Sequence, residues 1–361
     1  MMNASSQNIE CHIKLGEIAT YVNGYAFKPS DYSSKEGDPI IRIQDLTGNS
    51  YETNKFSGNL PNKYRVNNGD ILVSWSASLG VYEWTKGPAW LNQHIFKVVF
   101  DKKPINKSFF IHQARHIIEN SGNLAHGATM RHLTKKVFDA LPFYYPGPQE
   151  QQQIADQLDK LSAIIDTCQT ANRKLENLVK SRFIEMFGDP IENDSKLPKC
   201  KWEDVLTIVN GKNQKKVECA TGEYPICGSG GEMGRARQYL TKGDSVIIGR
   251  KGNINNPILM REPFWNVDTA FGLEPNAEIL IVEYLYYYCE WFDFQKLNKA
   301  VTIPSLTKAD LLKIEMPLPP LALQQEFAAF VSQVDKLRFE TQQQIEKLET
   351  LKKSLMQEYF G

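Results

Sequence analysis

No apolar run in the 361 residues approaches the roughly 20 that a membrane-crossing helix needs. The first dozen residues are polar and lack the charged-then-apolar layout of a secretory leader, so a short flexible tail and a cytoplasmic location are expected. An excess of either charge is also missing: 42 basic residues meet 42 acidic ones. A self-sufficient nucleic-acid binder usually carries a basic surplus. Any such contact here therefore needs local basic patches or a positively charged partner. The six cysteines, Cys11, Cys168, Cys200, Cys219, Cys227 and Cys289, never stand in CxxC spacing. That removes the zinc ribbon and the thioredoxin-like site and leaves reduced thiols as the simple expectation.

Complete catalytic sets are missing too. Residues 228–234 (GSGGEMG) are glycine-rich, but the third glycine falls one residue late for a dinucleotide fingerprint and no apolar helix follows. A structural turn is expected there. His112 and His116 share a helix face at i, i+4, yet Gln113 stands where a zinc hydrolase needs glutamate. Asn256-Pro257-Ile258-Leu259 resembles part of an amino-methyltransferase box but lacks its second proline and its aromatic residue. A phosphate-binding Walker box is absent as well. The chain reads as a non-catalytic protein that binds no cofactor or metal itself.

What is present is an internal repeat. Residues 174–188 return at 347–361, a displacement of 173, with nine identities in fifteen positions. The same displacement pairs Leu133-Thr134-Lys135 with Leu306-Thr307-Lys308, and Thr129 with Thr302. Further upstream the displacement drifts to about 175, pairing Trp90 with Trp265 and Phe96 with Phe271. Residues 18–24 (IATYVNG) match 205–211 (VLTIVNG) at the start of each half. Between these anchors the halves diverge, as different loops on one scaffold would.

Each half begins with short β-type runs broken by Gly, Pro and Asn, which points to a mixed α/β domain. A proline cluster follows, and then a stretch free of Pro and Gly up to Gly188 or Gly361. Steps of three and four from Ile154 to Met186, and from Phe327 to Tyr359, mark coiled-coil seams with polar members such as Asn172 and Arg338. Helices this long, about 55 Å, act as spacers or pair with each other. The organisation expected is a tail over 1–12, domains over 13–145 and 191–318, and helices over 146–190 and 319–361.

Several loops suit DNA. Arg250 and Lys251, with Asn253, Asn255 and Asn256, follow a β-run and are interleaved with glycine. Arginine can bond guanine bidentately, and asparagine adenine. The repeat sets Ser74, Trp75, Ser76 and Ser78 in the matching place, with different chemistry. Weaker candidates are Asn92 and His94, Arg131 and His132, and the basic group Lys212, Lys215 and Lys216. A solvated loop explains each of these weaker candidates equally well. The paired Trp90 and Trp265 read as core.

These features together resemble the specificity subunits of type I restriction–modification systems, over residues 13–361. Residues 69–80 (GDILVSWSASLG) and 91–98 (LNQHIFKV) are similar to one type of target-recognition domain. Residues 224–234 (YPICGSGGEMG), 249–252 (GRKG) and 264–270 (FWNVDTA) are similar to another. Asn255 departs from the glycine common in relatives of the second type. The resemblance implies two tandem α/β recognition domains, each reading half of a split double-stranded DNA target, separated and followed by helices that pack antiparallel and set the gap. It also implies two methyltransferase subunits using S-adenosylmethionine, and a motor–nuclease subunit using ATP and magnesium. An autonomous DNA-binding regulator or structural protein, and a metal-dependent enzyme using His112 and His116, are the competing readings.

Overall fold

The computed structural model describes residues 12–33, 35–48, 54–76, 78–120, 134–300 and 302–361. The chain divides into two compact units, Met1–Thr167 with Ile345–Gly361, and Cys168–Gln344. Each unit holds one α/β domain and a segment of both long helices. No described helix is long and apolar enough to cross a membrane.

In the first unit an antiparallel sheet runs in the order Thr20–Asn23, Ile95–Val99, Ile71–Ser74, Gly80–Glu83. The strand Ile71–Ser74 is buried along its whole length, which explains its unbroken apolar run. A second small sheet contains a parallel pair, Ile40 with Trp90 and Ile41 with Leu91. The strand His12–Lys14 pairs with Pro142–Tyr144 and ties the two ends of the domain together.

The second unit repeats this plan. Its antiparallel sheet runs Leu206–Asn210, Ala270–Pro275, Ser245–Gly249, Ile258–Met260. The parallel pair returns as Ile226 with Trp265 and Cys227 with Asn266. Trp90 and Trp265 are both buried, so the core reading of this repeat slot holds. The shared Val-Asn-Gly serves a close approach of main chains. A Cβ on Gly24 would stand 1.9 Å from the Asn92 carbonyl oxygen, and on Gly211 1.8 Å from that of Val267.

Two buried glutamines fasten the long helices to their domains in the same way. Gln151 Oε1 accepts from Asn106 N at 2.9 Å while its Nε2 donates to Pro146 O at 2.8 Å. Gln324 Oε1 accepts from Ile281 N at 2.8 Å, and its Nε2 donates to Pro319 O at 2.8 Å and Ile279 O at 3.0 Å. Each satisfies main-chain groups where a loop turns into a helix.

The helices span Pro148–Phe187 and Leu321–Phe360, 40 residues each. In the first unit Lys352 Nζ donates to Ser162 Oγ at 2.8 Å, and Tyr359 pairs with Gln157. One number rises as the other falls, so the two segments run antiparallel. In the second unit the two helices also touch, where Arg182 bonds Glu326 at 3.2 Å and Phe183 meets Phe327 edge-on at 5.4 Å. The seams are buried or half-buried at Ile154, Leu158, Ile165, Val179, Phe327, Val331, Val334 and Ile345. One correction applies. Near its end the central helix buries Phe183 and Phe187, while the seam members Arg182 and Met186 are only half-buried. The reason is that the domain packs there too, with Tyr284 on Phe183 at 5.5 Å and on Phe187 at 4.9 Å.

Candidate nucleic-acid interface

The loop after strand Ser245–Gly249 is built by main-chain contact. A Cβ on Gly249 would lie 2.0 Å from the Asn253 carbonyl oxygen, so only glycine lets the chain turn back so closely. Arg250 N donates to Thr269 O at 2.8 Å, and the guanidinium lies over the Phe271 ring at 5.7 Å. The residues 266–270 also hold the basic segment, through Gly211 N to Ala270 O at 3.2 Å and Lys212 N to Asn266 O at 3.0 Å. Lys212, Lys215 and Lys216 are exposed and form no ion pair among the described residues. Lys251 and Asn253 are exposed beside them.

Two partners of this loop come from far away in sequence. Gly252 N donates to Pro304 O at 2.9 Å and Leu306 N to Arg250 O at 2.9 Å, which seats residues 304–306 against it. On the other side Asn256 Nδ2 reaches Ser229 O at 3.5 Å, at the tip of the hairpin Tyr224–Gly228 and Gly231–Ala236. The glycine-rich segment is thus a hairpin turn, with no helix behind it.

The expectation that Asn255 reads a base gives way to a structural role. Its Nδ2 donates to Asp293 Oδ1 at 2.8 Å and its Oδ1 accepts from Phe294 N at 2.8 Å. That bond holds the Asp293 carboxyl below the usual carboxylate range. Both ends of the amide are therefore engaged within the protein.

In the first unit Trp75 N donates to His94 O at 3.4 Å, the counterpart of Arg250 N to Thr269 O at the displacement of 175. The two loops thus occupy equivalent places with different side chains. Ser74 and Ser76 do not face outward as expected: both are buried, and Ser74 Oγ donates to Ser76 O at 3.2 Å. Ser74 ends an all-buried strand, so its side chain points into the fold. Trp75 is half-buried and stacks on Phe96 at 5.7 Å. Ser78, Asn92 and His94 do converge, on an open groove of about 430 Å³. Ile43 and Ile95 line it too, together with Arg42, Gln44 and Thr47. Sequence reasoning missed these three, because only the parallel pairing of Ile40–Ile41 with Trp90–Leu91 brings their segment alongside. Arg131 and His132 lie outside the described residues.

The two histidines at i, i+4 lie on helix Lys107–Asn120. His112 is buried with Nε2 on Asp159 Oδ1 at 2.8 Å, and burial lowers its pKa, so it packs as a neutral side chain. No group of three or more His, Cys, Asp or Glu among the described residues is arranged to hold a metal.

The family model for the type I restriction modification DNA specificity domain matches residues 10–177 and 196–350. The type I restriction enzyme EcoBI specificity subunit of Escherichia coli is 30% identical over 170 residues, 46% of this chain and 35% of its own length. The putative MjaX specificity subunit of Methanocaldococcus jannaschii is 23% identical over 385 residues, 92% of this chain and 88% of its own. Among solved structures, a type I restriction–modification S subunit from M. genitalium aligns with a TM-score of 0.60 at 15% identity, covering 97% and 96% of the two chains. A chain from a structure describing complex assembly and conformational transition of the type I system aligns at 0.57 and 16%, covering 97% of each. With two matched segments, one per unit, the chain belongs to the family of type I restriction–modification DNA specificity domains.

Proposed function

We propose that this chain is the sequence-reading subunit of a type I restriction–modification complex, in which each unit reads one half of a bipartite DNA target. The observation that carries this is the equivalent placing of two chemically different loops, 74–78 and 250–256, each hung on the same main-chain bond to the segment after the buried tryptophan strand. One scaffold with two sets of side chains is what reading two different half-sites requires. In the second unit Arg250, Lys251, Asn253 and Asn256 contact the DNA, with Lys212, Lys215 and Lys216 on phosphate. In the first, Ser78, Asn92 and His94 do so from the groove that Arg42 and Gln44 also line, and Trp75 supports the loop.

Zero net charge makes partners necessary, because phosphate neutralisation supplies most of the affinity of a DNA binder. Two methyltransferase subunits supply that charge and methylate adenine with S-adenosylmethionine. A motor–nuclease subunit with ATP and magnesium joins them, and this chain contributes no catalytic group. The long helices offer the docking faces. Ile164 and Leu337 stand 48% and 51% exposed, and Leu178 and Leu351 48% and 47%. Each pair is related by the displacement of 173, so each unit presents one member of each pair, and the second unit adds Phe339, 63% exposed. Two related patches fit two copies of one partner.

The test is co-expression with methyltransferase subunits, followed by mapping of methylated adenines. A split target whose second half alone changes when residues 250–256 are replaced supports the assignment. Tight, specific binding by the lone chain at physiological salt would favour the autonomous regulator instead.

A further inference from the structure

In the second unit residues 298–300 and 302–305 are pinned beside the candidate interface. Asn298 Oδ1 accepts from Ala300 N at 2.9 Å and Ser305 N at 3.1 Å, and its Nδ2 donates to Ala300 O at 3.2 Å. From outside, the loop is fixed by Gly252 N to Pro304 O at 2.9 Å and Leu306 N to Arg250 O at 2.9 Å. Within this frame Ile303 stands 61% exposed. A single exposed aliphatic side chain is ordinary and by itself decides nothing. Two further observations give it meaning. The first is its position, on a stiff loop next to the exposed Lys251 and Asn253. The second is the repeat. At the displacement of 173, Ile303 corresponds to Met130 and Thr302 to Thr129, while the reading loops have diverged to Ser-Trp-Ser in one half and Arg-Lys-Gly in the other. Met130 lies outside the described residues and is compared by sequence only.

An apolar residue kept at both positions is not serving the core in the second unit, because Ile303 is exposed. A base-specific contact does not explain it either, because the neighbouring readers differ between halves. What remains is a task that both half-sites share whatever their sequence. Aliphatic side chains on rigid loops perform such a task by entering between base steps and partly unstacking them. A wedge must hold its place against base stacking, and the hydrogen bonds around Asn298 and Gly252 supply that stiffness.

We propose that Ile303 is a wedge that parts a base step beside the second half-site. This rests on the reading of each unit as a half-site reader. The experiment uses the complex with methyltransferase subunits, without S-adenosylmethionine, on its mapped target carrying 2-aminopurine at successive positions that are not methylated. Competition by DNA with a scrambled second half-site, in the same titration, reports sequence reading separately. Wild type should brighten the probe at one step of the second half-site. Ile303→Ala should reduce the emission there to that of the scrambled duplex, and Ile303→Met should retain it. Unchanged brightening in Ile303→Ala, or none in wild type while the cognate half-site is still preferred, overturns the wedge and leaves the reading standing. An Ile303→Ala chain that no longer assembles with the methyltransferase assigns the side chain to that protein and overturns it equally. Absence of preference for the second half-site in wild type overturns the underlying reading.

Discussion

Lengthening the two long helices together should widen the gap in the DNA target. Both helices, Pro148–Phe187 and Leu321–Phe360, run from one compact unit into the other. An insertion into the central helix alone is therefore opposed by its partner. The matched sites are after Thr170 and after Gln343, which the displacement of 173 relates. Both lie between seam positions, Cys168 and Asn172 in one helix and Thr341 and Ile345 in the other. Seven residues in each helix add about 10 Å and turn the following segment by about 20° short of two full turns. The buried faces around Phe183 and Phe327, and around Leu158 and Met356, then keep their partners. At about 3.4 Å per base pair, the spacer should grow by roughly three. Four residues in each helix add about 6 Å and should give a gain of one to two base pairs. Two residues turn the following face by about 200° and should abolish assembly. Mapping methylated adenines in cells carrying each variant reads the spacer directly. A seven-residue pair that still methylates both half-sites at the original spacing would refute the ruler, because something other than these helices would then hold the half-site readers apart.

Arg250→Ala should cost about 1–3 kcal/mol in binding to the second half-site and leave preference at the first unchanged, as competition binding of the assembled complex would show. Equal relaxation at both halves would end the modular assignment. Gln324→Ala should destabilise the protein by about 3–5 kcal/mol in urea unfolding, since it strands Ile281 N and two carbonyl oxygens. Gln151→Ala breaks two bonds of this kind to main chain and should cost less, about 2–3 kcal/mol. A larger loss for Gln151→Ala would contradict the parallel between the two. His112 is kept neutral because burial lowers its pKa more than the Asp159 hydrogen bond raises it. The unfolded imidazole takes a proton near its usual value of about 6.5, so stability present above that pH should fall as the pH drops toward the lowered folded value. Urea midpoints measured against pH should show this slope shrinking in His112→Gln. An identical slope would place the acid sensitivity elsewhere.

The sequence by itself determined the duplication and much that follows from it. Unbroken apolar runs marked the strands Ile71–Ser74 and Ser245–Gly249, which are buried along their whole length, and steps of three and four marked the seams of both long helices, each of which buries one face. Repetition also singled out Trp90 and Trp265 as core and set loops 74–78 and 250–256 in corresponding places. Which side chains of those loops meet solvent was another matter. Ser74 and Ser76 are polar residues turned inward, and Asn255 is an asparagine tied to Asp293 and Phe294, 38 and 39 residues further on. Polar residue type does not distinguish a surface reader from an internal clasp. Tertiary structure alone brought Arg42 and Gln44 to the groove of Ser78, Asn92 and His94, and seated residues 304–306 against the Arg250–Gly252 turn. It alone also exchanged Arg182 for Phe183 on the buried face of the central helix. In each case the deciding contact joins segments distant in sequence, and local pattern carries no record of which distant segment will pack alongside.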